Sequence, residues 1–334
     1  MLRIGVIGYG YWGPNIVRNF SAANGSEVIM VCDMNQQTLK KVKKAYPQIN
    51  VTDNIDELIK NPEVDAIAIV TPVLTHHELA KKALEAGKSV FLEKPFTYTV
   101  AEAEELIELA AKKNLKLMVD HTFLYSGAVR KIRQLIDDGI LGDLYYFDSV
   151  RVNLGLFQHD VNVVWDLAPH DISIMDYCID EKPQAVVATG VGHFSRGLED
   201  VAYLTFYYNR NIIAHINVNW LSPVKVRTTL IGGEKKMLVW NDIEPDEKIK
   251  IYDKGVKVKT KEGQYNLLVD YRSGDMWAPK VEQTEALKLM AEKFVNYVKN
   301  GEPVVNDGIA GLNNVKMLEA ANKSLKNKGA MVNI

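Results

Sequence analysis

The first third of the chain alternates short apolar runs with stretches in which polar residues recur at helical spacing. The short runs are rich in β-branched residues, as is typical of buried parallel strands, and cover residues 2–7, 27–32, 66–70, 89–92 and 116–119. The stretches with helical spacing lie between or after them, at 14–20, 37–45, 56–60, 77–86 and 100–113. This alternation predicts an α/β domain with a doubly wound parallel sheet.

After residue 120 the pattern changes to long strands joined by short polar or glycine-containing turns. Two further helices are predicted at 126–138 and 165–179, and two more from residue 281 onward, the last starting near Asp307. The predicted hairpins pair 202–208 with 212–221, 227–231 with 236–240, and 248–252 with 256–260. We therefore expect an α/β domain at 1–120 and, at 121–334, an α+β domain with a large open antiparallel sheet.

Composition narrows the class of protein. The 334 residues can form two domains, and a formal net charge of −2 argues against a nucleic-acid surface. Cys32 and Cys178 lie in apolar runs without metal-ligand spacing, which favours a reducing compartment. Neither a signal-peptide pattern nor an apolar run of membrane-spanning length is visible. We expect a cytoplasmic protein with no bound metal, no membrane segment and no nucleic-acid partner.

A glycine-rich loop follows the first predicted strand and opens the first predicted helix. Gly8 allows the tight turn, Gly10 lets the backbone approach a pyrophosphate, and Gly13 permits close packing of the helix. The N–H groups at the start of a helix can then bind the anion. Tyr9 and Trp12 in the same loop are expected to contact the cofactor.

Asp33 lies twenty residues beyond Gly13, at the end of the second predicted strand. A carboxylate at this position accepts hydrogen bonds from the adenosine ribose hydroxyls and repels a 2′-phosphate. Met34 and Asn35, which follow it, supply no positive charge. The loop and Asp33 together predict a Rossmann-type domain that binds NAD in preference to NADP.

Two further groups of residues have the chemistry of an active site. Glu93-Lys94 follows the fourth predicted strand, where the carboxyl ends of parallel strands line a crevice, and a lysine beside a nicotinamide suits proton transfer. Spacing alone equally allows an ordinary surface lysine. Asp166 and His170 are four residues apart on one helical face, so the carboxylate can orient the imidazole. An isolated pair of this kind is more often a helix-start aspartate beside a packed histidine.

The motifs resemble those of the glucose–fructose oxidoreductase/inositol dehydrogenase (Gfo/Idh/MocA) family over nearly the whole chain. The resemblance is carried by the glycine loop, by Asp33, by Thr71-Pro72 with His76 four residues beyond the proline, and by Glu93-Lys94-Pro95. It implies that the residues following the strands, namely Thr71, Pro72, His76, Glu93 and Lys94, contribute to cofactor binding. It also implies a catalytic role for Lys94 and a cis peptide bond before Pro95.

The same resemblance implies that Asp166 and His170 act opposite the lysine. His170 is then expected to accept the hydroxyl proton, Lys94 to polarise the oxygen, and Asp166 to fix both, although either His170 or Lys94 can be the formal base. His121-Thr122 departs from the family pattern, since many relatives have a small residue there.

Candidate substrate contacts are less sharply defined. Tyr125, Arg151, Asn153 and His159, together with His170, supply donors and acceptors that a hydroxyl-rich ligand needs. The first four residues can equally be ordinary polar side chains.

The combined pattern favours an NAD-dependent oxidoreductase acting on a secondary hydroxyl or ketone of a sugar or a nucleotide-linked (amino) sugar. The alternatives are a dehydrogenase of a free cyclitol or polyol, such as inositol, and a non-catalytic regulator that senses dinucleotide or sugar. The presence of the lysine and the Asp–His pair favours an enzyme. The open sheet, whose apolar face needs a cover, predicts a homodimer or homotetramer.

Overall fold

The computed structural model describes residues 1–155, 157–194, 197–258 and 269–334. The chain forms two compact units, Met1–Tyr125 with Thr284–Glu319, and Ser126–Gln283 with Ala320–Ile334. The first boundary lies close to the expected division at residue 120. Residues Thr284–Glu319, however, cluster with the first unit, although the sequence analysis placed them in the second domain.

The first unit contains a six-stranded sheet in which every pairing is parallel. Its strands are β1 Leu2–Ile7, β2 Ser26–Cys32, β3 Asn50–Thr52, β4 Ala66–Ile69, β5 Ser89–Leu92 and β6 Leu117–Val119. They are arranged in the order β3-β2-β1-β4-β5-β6. This order confirms the doubly wound Rossmann-type sheet, and places the ends of β1, β4, β5 and β6 side by side.

Helices follow most strands of the first unit, two more lie in the second, and the last two come from residue 286 onward. In chain order they are α1 Gly13–Ala22, α2 Gln36–Ala45, α3 Ile55–Lys60, α4 His76–Glu85, α5 Val100–Lys112, α6 Gly127–Asp137, α7 Val163–Cys178, α8 Ala286–Asn300 and α9 Gly308–Lys326. Capping side chains define where several of these helices begin. At the start of α5, for example, Thr99 and Glu102 form a reciprocal capping box. The predicted helices are confirmed, and most of their observed ends lie within one or two residues of the predicted ones.

An aromatic cluster explains why the C-terminal segment returns to the first unit. Phe294 of α8 packs edge-to-face against Phe20 of α1 and Phe91 of β5, with ring centroids 5.8 and 5.6 Å away. Glu285 also pairs with Arg18. Burial of three aromatic rings in one cluster stabilises the docking of α8 much more than the exposed ion pair does.

In the part of the second unit that the structure describes, the strands form a nine-stranded sheet. Its strands are β7 Leu144–Leu154, β8 Ala185–Val191, β9 Val201–Tyr207, β10 Ile213–Asn219, β11 Leu221–Gly233, β12 Met237–Asn241, β13 Ile249–Val258, β14 Val269–Trp277 and β15 Val332–Asn333. They are arranged in the order β14-β13-β12-β11-β7-β10-β9-β8-β15. All pairings are antiparallel except that of β10 with β7, which makes the predicted antiparallel sheet a mixed one.

One face of this sheet packs against α7, which contacts β7, β9 and β10. Burial alternates along β9 and distinguishes the covered face of the sheet from the exposed one. Ala202, Leu204 and Phe206 are buried, whereas Tyr203 and Tyr207 are exposed on the opposite face. The helix that carries Asp166 and His170 is therefore held on the covered face of the sheet.

The third predicted hairpin is wrong. Ile249–Val258 runs as one strand through Asp253-Lys254-Gly255, the residues expected to turn, and pairs with Val269–Trp277. The register shifts between Tyr252 and Lys254, so the turn-forming residues produce an irregularity rather than a reversal. Residues 259–260 of the predicted second strand lie outside the described residues. The first two hairpins are confirmed by the antiparallel pairs β9–β10 and β11–β12.

Candidate active site

The three glycines of the loop after β1 have different steric surroundings. Gly8 has a φ of +95°, and a Cβ there would collide with the carbonyl oxygen of Val70. A Cβ on Gly13 would lie 2.7 Å from the carbonyl oxygen of Gly8, whereas one on Gly10 would meet no atom within 4 Å. Gly8 and Gly13 thus allow the loop to fold, and Gly10 borders open space through which a pyrophosphate can reach the start of α1.

Two backbone amides orient the carboxylate of Asp33. Its Oδ2 accepts a hydrogen bond from the Tyr9 N–H at 2.8 Å, and its Oδ1 accepts one from the Asn35 N–H at 2.8 Å. Each carboxylate oxygen has a second lone pair available for a ligand hydroxyl. The acceptor needed for a ribose is therefore oriented by the chain itself.

Trp12 connects the glycine loop to the end of β6. Its Nε1 donates to Asp120 Oδ2 at 3.2 Å, and the Thr122 N–H donates to Asp120 Oδ1 at 3.2 Å. Asp120 was not predicted as a site residue. The rule that directed attention to Glu93, a polar residue directly after a buried parallel strand, applies equally to Asp120.

Glu93 and Lys94 follow β5, and the Lys94–Pro95 peptide bond is cis, as predicted. The Oε2 atom of Glu93 is buried and has no hydrogen-bond partner among the described residues, although the residue as a whole keeps some exposure. Burial, and then the neighbouring Asp120 carboxylate, raise the pKa of Glu93 well above its usual range. Burial and the nearby carboxylate thus both favour the neutral form of Glu93.

His76 is fully buried, and its ring lies between two backbone segments. Nδ1 is 2.8 Å from the carbonyl oxygen of Pro95, and Nε2 is 2.8 Å from that of Thr71. Burial lowers the pKa of His76, against the opposing effect of these carbonyls. His76 was predicted to contact the cofactor, but both ring nitrogens face backbone oxygens.

His121, directly after Asp120, is buried to 1% exposure. Neither of its ring nitrogens has a hydrogen-bond partner in the part of the chain that the structure describes. Burial, and secondly the positive charge of Lys94, lower the pKa of His121 to about 4. The imidazole is therefore neutral near pH 7.

In the second unit, α7 presents Asp166 and His170 one helical turn apart. The helix begins after Asn162, whose side chain accepts a hydrogen bond from the Trp165 N–H. The indole Nε1 of Trp220, between β10 and β11, donates to Asp166 Oδ2 at 3.0 Å. Trp220 was not predicted as a site residue, because nothing in the local sequence links it to a helix 54 residues away.

Arg151, a predicted substrate contact, is buried in an ion pair with Asp171. Its Nε donates to Asp171 Oδ2 at 2.5 Å, and Ser149 Oγ donates to the other carboxylate oxygen at 2.7 Å. The side chains of the pair are only 4% and 3% exposed. A guanidinium held in this way supports the adjoining His170 helix from the sheet.

The other predicted substrate residues differ in exposure. Tyr125 is buried in the first unit and donates its hydroxyl to Asn306 Oδ1 at 2.6 Å. In the second unit, Asn153 is partly exposed and His159 is exposed. Asn153 and His159 can therefore meet a ligand without rearrangement, unlike Tyr125.

Neither a metal-binding cluster nor a membrane-spanning helix is found among the described residues. They contain no group of three or more His, Cys, Asp or Glu side chains arranged to hold a metal ion. Within the same ranges, no helix is long and apolar enough to cross a bilayer.

Comparison with known proteins identifies the family. Residues 2–121 match the model of the oxidoreductase family with an NAD-binding Rossmann fold, and residues 129–239 match the GFO/IDH/MocA C-terminal domain. The chain therefore belongs to the Gfo/Idh/MocA oxidoreductase family, which confirms the resemblance seen in the sequence. It is an oxidoreductase with an NAD-binding Rossmann domain.

Individual relatives agree with this assignment. UDP-N-acetylglucosamine 3-dehydrogenase from Acidithiobacillus ferrooxidans is 27% identical over 93% of this chain and 93% of its own length. Myo-inositol 2-dehydrogenase from Thermotoga maritima is 23% identical over 98% of this chain and 97% of its own. A crystal structure of the A. ferrooxidans enzyme superimposes with a TM-score of 0.80 at 25% identity, covering 98% of each chain.

Proposed function

We propose that the protein uses NAD to interconvert a secondary hydroxyl and a ketone on a sugar or nucleotide-linked (amino) sugar. The observation that carries the enzymatic part is the presence of Lys94 after β5 and of the Asp166–His170 pair on α7 in a chain of this dehydrogenase family. Similarity to UDP-N-acetylglucosamine 3-dehydrogenase along 93% of the chain supports the substrate class.

The preference for NAD over NADP rests on Asp33. Because Tyr9 and Asn35 fix its carboxylate through their N–H groups, the negative charge cannot easily turn away from a 2′-phosphate. The neighbouring Met34 and Asn35 carry no positive charge to offset that repulsion. Gly10 and the start of α1 provide space and N–H groups for the pyrophosphate.

The reacting groups have distinct roles in this proposal. Bound nicotinamide supplies the hydride acceptor in oxidation and the hydride donor in reduction. His170 takes the proton of the substrate hydroxyl, and Lys94 donates a hydrogen bond to the same oxygen, either residue being able to serve as the formal base. Asp166, held by Trp220, keeps His170 oriented.

Specificity is proposed to reside in the second unit. Asn153 and His159 have the exposure needed to contact a hydroxyl-rich substrate. Arg151, on the strand beneath α7, instead acts through its ion pair with Asp171 of that helix. Tyr125 contributes from the first unit by fixing the backbone at the end of β6, through Asn306.

A panel of substrates separates this proposal from its alternatives. NADH absorbance is followed with NAD or NADP and with UDP-N-acetylglucosamine, other UDP-sugars, free sugars and myo-inositol. Turnover of a nucleotide sugar with NAD is the expected result, whereas turnover of myo-inositol alone identifies a cyclitol dehydrogenase. Protein that binds NADH but turns over no compound of the panel is a regulator, and the enzymatic proposal is then wrong.

We also propose that the exposed face of the second sheet joins copies of the chain into a homodimer or homotetramer. Tyr203 and Ile213 on this face are each 44% exposed, and the Tyr203 ring stacks on His215. An exposed aromatic and aliphatic patch on an open sheet favours association. Light scattering is expected to show an oligomer that Tyr203→Glu weakens, and a monomeric wild type would contradict the proposal.

A further inference from the structure

The ring of His76 joins the segments that follow two adjacent strands of the first unit. His76 is the first residue of α4, and Thr71 lies beyond the end of β4. Pro95 lies beyond the end of β5, which pairs directly with β4. With Nδ1 at 2.8 Å from the Pro95 carbonyl oxygen and Nε2 at 2.8 Å from that of Thr71, the imidazole lies between both segments and can donate to either one.

The hydrogen-bond acceptors around the ring are distributed unequally. Among the described residues, Nδ1 faces two carbonyl oxygens, that of Pro95 at 2.8 Å and that of Phe96 at 3.3 Å, whereas Nε2 faces that of Thr71 alone. A neutral imidazole has a single N–H, so the tautomer with its proton on Nδ1 satisfies more acceptors. The bond to the Pro95 carbonyl is therefore the stronger restraint.

The carbonyl that His76 holds belongs to the residue directly after Lys94. We propose that His76 is a positioning residue, which fixes the Lys94-Pro95 segment and through it the ammonium group of Lys94. This inference rests on the proposed function, in which Lys94 contacts the substrate oxygen. Because a displacement of about 1 Å in a reacting group can cost roughly 10²-fold in rate, the restraint bears directly on kcat.

Three variants of His76 separate the two contacts. His76→Leu removes both hydrogen-bonding atoms. His76→Asn keeps an amide N–H near the position of Nδ1, and His76→Gln places one near that of Nε2. His77→Leu is the matched control, because His77 lies next along the same helix and its Nε2 contacts Glu105 of α5, not either segment.

Two readouts are used for each variant. One is kcat and KM for NAD with UDP-N-acetylglucosamine and with myo-inositol, and the other is amide hydrogen exchange at Phe96 and Thr97. For His76→Leu we expect kcat to fall roughly 10²-fold with little change in the KM for NAD. His76→Asn is expected to restore most of kcat relative to His76→Leu, together with the slow amide exchange of wild type at Phe96 and Thr97. His76→Gln is expected to restore neither. His77→Leu is expected to match wild type in both readouts.

Equal kcat in wild type and His76→Leu would overturn the inference. So would equal losses in the Asn and Gln variants, because a purely structural role does not distinguish the two ring positions. Should the leucine variant fail to fold, the Asn–Gln comparison decides alone. Full turnover by Lys94→Ala would instead contradict the proposed function, and the hydrogen-exchange results would still show whether His76 holds the segment.

Discussion

Replacing His121 by leucine is expected to make the protein more resistant to acid. His121 is buried, and neither ring nitrogen finds a hydrogen-bond partner among the described residues. An imidazolium in that place would lose its hydration and lie near the charge of Lys94, whereas in the unfolded chain it is solvated. Protonation therefore favours the unfolded state.

The size of the effect follows from the pKa of His121, which is lowered from 6.5 to about 4 in the folded protein. Because the folded-state pKa is the lower one, the stabilisation is complete above pH 6.5 and is lost as the pH falls towards 4. At ~1.4 kcal/mol per pH unit, the total loss is about 3 kcal/mol, of which about 2 kcal/mol has gone by pH 5.

The assay is urea unfolding followed by circular dichroism at pH 7.5, 6 and 5, comparing wild type with His121→Leu. Leucine has no titratable group, so the difference between the two proteins isolates the contribution of the imidazole. We expect wild type to lose about 2 kcal/mol relative to the variant between pH 7.5 and pH 5. His159→Gln, which removes an exposed imidazole, serves as the control and is expected to follow wild type.

Parallel stability curves for wild type and His121→Leu would refute this reasoning. They would mean that the folded protein accommodates the imidazolium as well as water does, through a partner for His121 or through solvent access. A wild type that gained stability relative to His121→Leu as the pH falls would contradict the predicted direction of the effect.

Three other changes have defined outcomes. Asp33→Ala removes a charged hydrogen-bond acceptor, so NADH affinity measured by fluorescence is expected to fall roughly tenfold or more, while NADPH affinity does not fall. Trp220→Phe keeps an aromatic ring but removes the N–H that holds Asp166, so kcat is expected to drop roughly tenfold at unchanged NADH affinity. Asp171→Asn removes the negative charge from the buried ion pair with Arg151, which is expected to cost about 3–5 kcal/mol of stability in urea unfolding.

Each of these outcomes can be contradicted separately. Unchanged selection between NADH and NADPH after the Asp33 substitution would place specificity elsewhere. A Trp220 variant with wild-type kcat would show that the indole hydrogen bond does not orient the acid–base pair. Wild-type stability after the Asp171 substitution would mean that the guanidinium is solvated in spite of its burial.

The sheet of the first unit was predictable because buried parallel strands are continuous apolar runs. β4 and β5 are four residues long and entirely buried, and apart from Ser89 their residues are all apolar. β3 was missed because it has three residues, only one of them buried. Its pairing with β2, rather than its own composition, makes it a strand.

Residues 253–255 show where local chemistry misleads. Asp, Lys and Gly in succession form turns readily, but here the pairing of Ile249–Val258 with β14 takes precedence. The irregularity after Tyr252 accommodates them without a reversal. Pairing with a strand that begins only at Val269 cannot be deduced from the three residues themselves.

The candidate site was predictable in its residues more than in their contacts. Gly13 meets the nearby Gly8 carbonyl and Asp33 accepts from the nearby Asn35 N–H, so part of their surroundings follows from the local sequence, whereas the contact of Gly8 with Val70 does not. The partners of Trp12 and Asp166 come from distant segments, and only the folded chain brings them together. His76 was predicted as a cofactor contact, and the sequence does not indicate that its ring faces the backbone.

The most direct test of the central claim is the rate of hydride transfer in Lys94→Ala and His170→Ala, measured alongside NADH affinity. Lys112→Ala, which removes an exposed lysine from the end of α5, is the control. The account predicts that both site variants lose roughly 10²-fold or more in turnover of the sugar substrate while still binding NADH, and that the control matches wild type. Full turnover by either site variant would contradict it.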